Sequence, residues 1–275
     1  TTKDYVTKHT EGLVILLTMN IPRKTLDNGF SLPIYGLGTW MMGGGLEADY
    51  SEDEKYITAI QDALRNGVTH IDTAEMYGNG HAEELIATAM KGIDRSTITL
   101  ASKAYGGIEG GYDGVVHACH DSLKRLQTDY LDVYMLHRFP TNDLDEVMRA
   151  MNRLKSEGLI RNVGVSNFTV ERLMTAQKLC ETPIVCNQVE YNLQVREAEA
   201  RGIIKYCQDN DILITAWGPL NKGAMLNSNI LEDLAAKYNK TPHQIAINWL
   251  VSQENVVTIP KTTSHEHLEE NLGAI

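Results

Sequence analysis

Residues 69–102 read THIDTAEMYGNGHAEELIATAMKGIDRSTITLAS. Thr69–Asp72 is a short β-rich run, His81–Lys91 has the apolar spacing of a helix, and Ile98–Ser102 is a second β-rich run. Parallel strands cannot be joined by a tight turn and need a crossover, usually a helix, so strand–helix–strand in this span is the unit of a parallel sheet. The same rhythm runs outward in both directions. Upstream lie a strand at Ile34–Gly38 and a helix at Ser51–Asn66. Downstream come a helix at Asp113–Leu126, a strand at Tyr130–Leu136 and a helix at Leu144–Glu157. The second half adds strands at Asn162–Val165, Val185–Val189, Leu213–Ala216 and Val256–Ile259. Its helices fall at Val170–Leu179, Glu199–Asn210, Ile230–Tyr238, Pro242–Ser252 and His265–Leu272.

Eight strands, most followed by a helix, predict an α/β fold of the closed (β/α)8 TIM-barrel type rather than a doubly wound sheet. Gly36-Leu37-Gly38 and Gly78-Asn79-Gly80 lack the third glycine of a dinucleotide fingerprint, so any dinucleotide here is not held by the Rossmann route. Ahead of the first strand, Leu26-Asp27-Asn28-Gly29-Phe30 sets an Asn-Gly turn between apolar residues and predicts an N-terminal β-hairpin. Ser51-Glu52-Asp53-Glu54 and Thr241-Pro242-His243-Gln244 have the form of capping boxes. Gly67, Gly92 and Gly158 stand where left-handed helix ends are wanted.

A chain of 275 residues buries a sizeable core without staples, and residues 1–275 read as a single barrel domain with 1–18 as an N-terminal extension. Leu13–Thr18 is read as an extra strand or as part of that extension. The apolar run Leu13–Met19 is too short to span a bilayer, so no membrane partner is expected. A net charge of -11 argues against a nucleic-acid partner, since phosphate backbones demand Lys and Arg. Cys119, Cys180, Cys186 and Cys207 match no zinc spacing and read as buried free thiols in a reducing cytoplasm. His117, His120 and Asp121 share a helix, but a solvated face explains them better than a metal, and none is expected.

In such barrels the chemistry sits at the C-terminal ends of the strands. Polar residues stand there in this sequence: Asp72 after Thr69-His70-Ile71, Lys103 after Ala101-Ser102, and His137 after Tyr134-Met135-Leu136. Ser166-Asn167, Gln188, Glu190, Trp217 and Lys261 follow at later strand ends. Each alone has a structural explanation, but Asp72, Tyr77, Lys103 and His137 would converge on one mouth. A carbonyl accepting hydride builds negative charge on oxygen and needs a proton donor. Tyr77 can be that donor, with Lys103 lowering its pKa, Asp72 keeping the lysine charged, and His137 orienting the carbonyl.

At these residues the chain resembles the aldo-keto reductases. Gly36-Leu37-Gly38-Thr39-Trp40 and His70-Ile71-Asp72-Thr73-Ala74-Glu75-Met76-Tyr77-Gly78-Asn79 look like the family's first two strand segments. Leu136-His137, Gly164-Val165-Ser166-Asn167-Phe168 and Asn187-Gln188-Val189-Glu190-Tyr191 follow in order, then Ala216-Trp217-Gly218-Pro219-Leu220 and Ile259-Pro260-Lys261-Thr262. The likeness spans Ile21 to Asn271. It implies NADPH-dependent reduction of aldehydes or ketones to alcohols, with Tyr77 as general acid and Asp72, Lys103 and His137 as its partners. It also implies an extended cofactor across the mouth. Gly38, Thr39, Trp40 and Asp72 would border it, while Ser166, Asn167 and Gln188 would hold the carboxamide. Trp217 would stack on the nicotinamide, continued by Gly218, Pro219 and Leu220. Ile259 and Pro260 would lead to Lys261, Thr262, Thr263 and Ser264 at the 2′-phosphate, with Glu270 and Asn271 at the adenine. Trp40, Met41, Tyr77, His137 and His81 are expected around a small-molecule carbonyl substrate. The relatives imply a monomer or a weak homo-oligomer, and on the same fold a non-catalytic, cofactor-binding regulatory subunit is the alternative.

Three departures stand out. His267 occupies a place where many NADPH-preferring members carry arginine, so the preference is expected to be reduced and NADH use becomes possible. The sequence stops soon after Asn271, which predicts an open pocket or a chain cut before its natural end. The loop Gly106-Gly107-Ile108-Glu109-Gly110-Gly111 is glycine-rich where relatives carry bulky residues, and it is expected to frame the substrate entrance.

Overall fold

A computed structural model describes residues 19–221 and 229–275, so the reading of Leu13–Thr18 and of the 1–18 extension lies outside the described residues. The chain first forms an antiparallel hairpin, β1 (Arg23–Thr25) with β2 (Ser31–Pro33). Its turn is the expected one. Gly29 takes a left-handed φ of 85°, and the Asn28 carboxamide oxygen accepts from the Phe30 amide at 2.8 Å. Eight parallel strands follow: β3 (Leu37–Gly38), β4 (His70–Asp72), β5 (Thr99–Ala104), β6 (Val133–Leu136), β7 (Val163–Ser166), β8 (Ile184–Glu190), β9 (Leu213–Trp217) and β10 (Val256–Thr258).

The sheet closes on itself. Tyr35 bridges Thr258 in parallel, the Gly36 amide donates to the Thr258 carbonyl at 2.8 Å, and the Gly38 amide donates to that of Pro260 at 3.2 Å. A Cβ on Gly38 would stand 2.6 Å from the Ile259 carbonyl oxygen, so this seam admits no side chain there. The result is the expected (β/α)8 barrel with its N-terminal hairpin. Leu26 and Leu32 of the hairpin segment pack with Ala101, Val133, Met135, Val185, Leu213 and Val257, plugging the lumen. Each such burial stabilises by about 1.5–3 kcal/mol, and it leaves the opposite end open.

Helices α1 (Asp53–Arg65), α2 (His81–Ala89), α3 (Gly111–Leu126), α4 (Leu144–Ser156) and α5 (Val170–Leu179) pack outside the strands. They are joined by α6 (Glu197–Ala200), α7 (Ile203–Asp209), α8 (Asn229–Tyr238), α9 (Pro242–Val251) and α10 (His265–Leu272). The capping box at Thr241 forms in both directions, and Gly67, Gly92 and Gly158 all have positive φ. The box expected at Ser51 does not form. The Ser51 amide is bonded to the Asp49 carboxylate at 2.9 Å, and α1 begins later, with Glu52 making no side-chain cap. The helix expected over Glu199–Asn210 is two helices, because Gly202 turns left-handed at φ 72° between them. All four cysteines are buried and free. No helix among the described residues is long and apolar enough to cross a membrane.

Candidate active site

Asp72 ends β4, and Lys103 lies within β5, one residue deeper than its expected place after that strand. Pleating turns Lys103 inward, where it is fully buried. Its ammonium donates to the Asp72 carboxylate at 2.6 Å, to the Thr73 carbonyl at 2.8 Å and to the Tyr77 hydroxyl oxygen at 3.3 Å. An ammonium has three protons, so all are engaged. Tyr77 therefore accepts from Lys103, and its own O–H proton must go to something else in the mouth. The other Asp72 oxygen accepts from the Gln188 carboxamide at 2.8 Å.

Burial disfavours the Lys103 ammonium, yet the Asp72 carboxylate and the Tyr77 oxygen more than offset this and hold its pKa above the usual lysine value. For Tyr77 the balance runs the other way from the sequence expectation. Burial raises its pKa, and Lys103 lowers it only in part, so the net shift is upward. Tyr77 is thus a protonated hydroxyl well past neutral pH, which is the form a proton donor needs.

His137 follows β6 (Val133–Leu136), and its ring meets Tyr77 edge-on at 5.8 Å. Burial, then the Lys103 and Arg138 charges, push its pKa down to about 3, so the imidazole is neutral at physiological pH. Its Nδ1 is buried with no hydrogen-bond partner among the described residues. A neutral imidazole offers one N–H to a carbonyl oxygen. Trp40 packs edge-on against Tyr77 at 4.9 Å and is 40% exposed, so it walls the mouth rather than the core. Met41 is likewise exposed, at a left-handed φ of 67°. His81 is a different case: its two ring nitrogens bond Glu84 and Asp53, each at 2.9 Å, and its ring lies on Tyr50. These partners tie it to the α1–α2 layer instead of the expected pocket wall.

A chain of polar groups leads from this centre along the rim. The Ser166 hydroxyl donates to the Gln188 carbonyl at 3.0 Å, and the Asn167 amide nitrogen donates to Ser166 Oγ at 3.0 Å. Asn167 Oδ1 in turn accepts from the Trp217 indole at 3.3 Å. The indole plane is therefore fixed at the end of β9. Gly218 follows at φ 65°, its carbonyl held by Asn192 at 2.9 Å. Thr39 Oγ1 donates to the Asp72 carbonyl at 3.0 Å. Gly38, Ile259 and Pro260, expected near the cofactor, are the barrel seam described above.

The far end of the mouth is a cavity of about 270 Å3 lined by Leu220, Lys261, Thr262, Thr263, His267, Glu270, Asn271 and His243. The first seven are expected cofactor residues; His243 was not foreseen, and its Nδ1 bonds Glu270 at 3.2 Å. Ser264 spends its hydroxyl capping α10, accepting from the His267 amide at 3.4 Å. Asn271 is buried and donates to the Tyr35 hydroxyl at 3.3 Å. Partial burial, then the Lys55 charge, lower the pKa of the Lys261 ammonium. A cation pressed by a second cation suits an anionic group such as a phosphate.

Sequence reading missed Tyr105 and Arg138, and placed Glu109 only within the loop framing the entrance. Tyr105 packs edge-on against His137 at 5.5 Å, Arg138 lies over Tyr105 at 5.1 Å, and Arg138 is ion-paired with Glu109. The only signal of Tyr105 and Arg138 was position, one or two residues past the chemistry-bearing strand ends. The carboxylates Asp132 and Glu190 lie at opposite ends of the barrel. Asp132 precedes β6 and pairs with Arg95 at 2.8 Å and Arg161 at 3.4 Å, whereas Glu190 ends β8 (Ile184–Glu190).

The family model described as "Aldo/keto reductase family" matches residues 35–275. This chain belongs to the aldo/keto reductase family. It is an oxidoreductase by that membership. Glyoxal reductase of Bacillus subtilis (strain 168) is 35% identical over 248 residues, covering 90% of this chain and 84% of the relative. Among solved structures, a thermostable aldo-keto reductase in complex with the inhibitor epalrestat matches with a TM-score of 0.87 at 40% identity, covering 92% of this chain and 93% of that one. An aldo/keto reductase from Klebsiella pneumoniae in complex with NADP and acetate matches with a TM-score of 0.82 at 33% identity, covering 92% and 89%.

Proposed function

We propose that this protein reduces aldehydes and ketones to alcohols with NADPH, using Tyr77 as the general acid. The observation that carries the reading is the saturated Lys103 ammonium. It bonds Asp72, Thr73 and Tyr77 together, so the Tyr77 proton is left to face the substrate. A bound nicotinamide cofactor supplies the hydride that the carbonyl carbon accepts. As that bond forms, the C=O π pair moves onto oxygen, and Tyr77 gives that oxygen its proton. Lys103 stabilises the tyrosinate left behind, and Asp72 keeps Lys103 charged. Neutral His137 donates an N–H to the carbonyl oxygen and fixes its direction without competing as an acid. Gln188 holds Asp72, and Ser166, Asn167 and Trp217 shape the shelf for the nicotinamide ring. Lys261 and Thr262 would hold the 2′-phosphate; His267 offers no guanidinium fork to that grip, so NADH is a poorer but usable donor. The NADP complex of the Klebsiella relative and the glyoxal reductase activity named for the Bacillus one support this reading.

The test is direct. The purified protein is titrated with NADPH and then NADH while tryptophan fluorescence is followed, and a panel of small aldehydes is added while the nicotinamide absorbance is recorded. The expected result is quenching by both cofactors, tighter for NADPH, and aldehyde-dependent oxidation. Tight binding with no oxidation across the panel would favour a regulatory, cofactor-binding protein instead.

A further inference from the structure

The residue after His137 is an arginine whose guanidinium lies 5.1 Å from the centre of the Tyr105 ring, and that ring abuts His137. Two cations act on the His137 imidazole: Lys103 and Arg138. Lys103 has no proton to spare. Arg138 has five N–H groups and gives one to the Glu109 carboxylate. Glu109 sits in the Gly107–Gly110 turn, where Thr141 Oγ1 donates to its other carboxylate oxygen at 2.8 Å and Asn142 donates to its carbonyl at 2.7 Å. Thr141 first, and Arg138 second, hold the Glu109 carboxyl below its usual pKa, so it is an anion. The chain thus already seats a carboxylate on a guanidinium beside its own reaction centre.

We infer that Arg138 selects carbonyl substrates bearing a carboxylate, and that Glu109 is the internal anion such substrates displace. This rests on the carbonyl-reductase reading above. Arg138 and Glu109 are 33% and 46% exposed, so exchanging one carboxylate for another costs little. The guanidinium fork accepts a carboxylate in a planar, two-bond fit that fixes the substrate's far end. Tyr105 stands between Arg138 and His137, so the carboxylate must lie several bonds from the reacting carbon, as in 4-oxobutanoate.

The measurement is the ratio of kcat/KM for 4-oxobutanoate over that for butanal, with NADPH, in the wild type and in R138Q, R138K and E109Q. R138Q is expected to lower the ratio about tenfold, through KM for the acid, since one charge-assisted contact is lost. R138K, which keeps the charge and loses the fork, falls between. E109Q raises the ratio by removing the competing anion. A ratio that R138Q leaves within about twofold of wild type, less than a surface ion pair can shift, overturns the inference while leaving the reductase reading intact. Oxidation of NADPH with neither aldehyde, nor with others of the panel, overturns that reading and the inference with it.

Discussion

Lys103 and Lys261 both stand at the mouth of one barrel, and their surroundings are opposite. Lys103 is fully buried, bonded through all three protons, and held above the usual lysine pKa by Asp72 and Tyr77 against the cost of burial. Lys261 is exposed at the rim of an open cavity, where partial burial and then the Lys55 charge lower its pKa. A buried, saturated cation cannot be altered without undoing its neighbours. A rim cation can be altered, and only the ligand it meets will register the change. The contrast predicts that the chemical step is fixed by structure whereas cofactor preference is adjustable.

The largest effect that would break this contrast is on stability. Lys103→Met leaves the Asp72 carboxylate buried without a counter-ion, and unfolding in urea should show a loss of about 3–5 kcal/mol. Adding Asp72→Asn should restore part of it, because the unpaired charge is then gone. A Lys103→Met protein as stable as wild type would mean that the site is not the closed charge pair described. The sign with pH follows from the raised lysine pKa. The pair's contribution is fully present below the unfolded value near 10 and is lost as pH rises through the folded value, so stability around neutrality owes no slope to it.

At the other end, Lys261→Gln should weaken NADPH binding by about tenfold, the worth of one charge-assisted contact, while NADH binding barely moves. An equal loss for both cofactors would show that Lys261 does not meet the 2′-phosphate. A smaller change comes from His267→Arg. A guanidinium facing the same cavity should raise the NADPH-to-NADH affinity ratio by about threefold, as expected of an exposed ion pair. An unchanged ratio would place His267 out of reach of that phosphate. The smallest expected effect is none. With the His137 pKa near 3, kcat/KM should be flat between about pH 6 and 8, the range where an ordinary histidine titrates. A limb in that range that His137→Gln removes would contradict a neutral imidazole.

The barrel was legible because its signals are periodic. Strand and helix alternation, the Asn28-Gly29 turn and the Thr241 cap all act over a few residues. Asp72, Lys103 and His137 could be found because barrel topology brings strand ends together. What escaped depends on tertiary competition. Ser51 was drawn to Asp49 instead of capping a helix, and Gly202 broke what apolar spacing alone read as one helix. His81 was claimed by Asp53 and Glu84. Tyr105, Arg138, Glu109 and His243 lie in or beside loops, where no period marks which side chains will meet. The direction of the Tyr77 shift also lay beyond the sequence, since it depends on how much burial the lysine must offset.

The central claim is that the Tyr77 proton completes carbonyl reduction. It is tested most directly by Tyr77→Phe, with single-turnover reduction of an aldehyde measured beside NADPH binding on the same preparation. The substitution removes one hydroxyl from a buried ring. The predicted result is NADPH affinity near the wild-type value with reduction slowed by about 10²–10⁴-fold, the usual weight of a positioned acid. Wild-type turnover in the Phe protein would contradict the account, because some other group would then be supplying the proton.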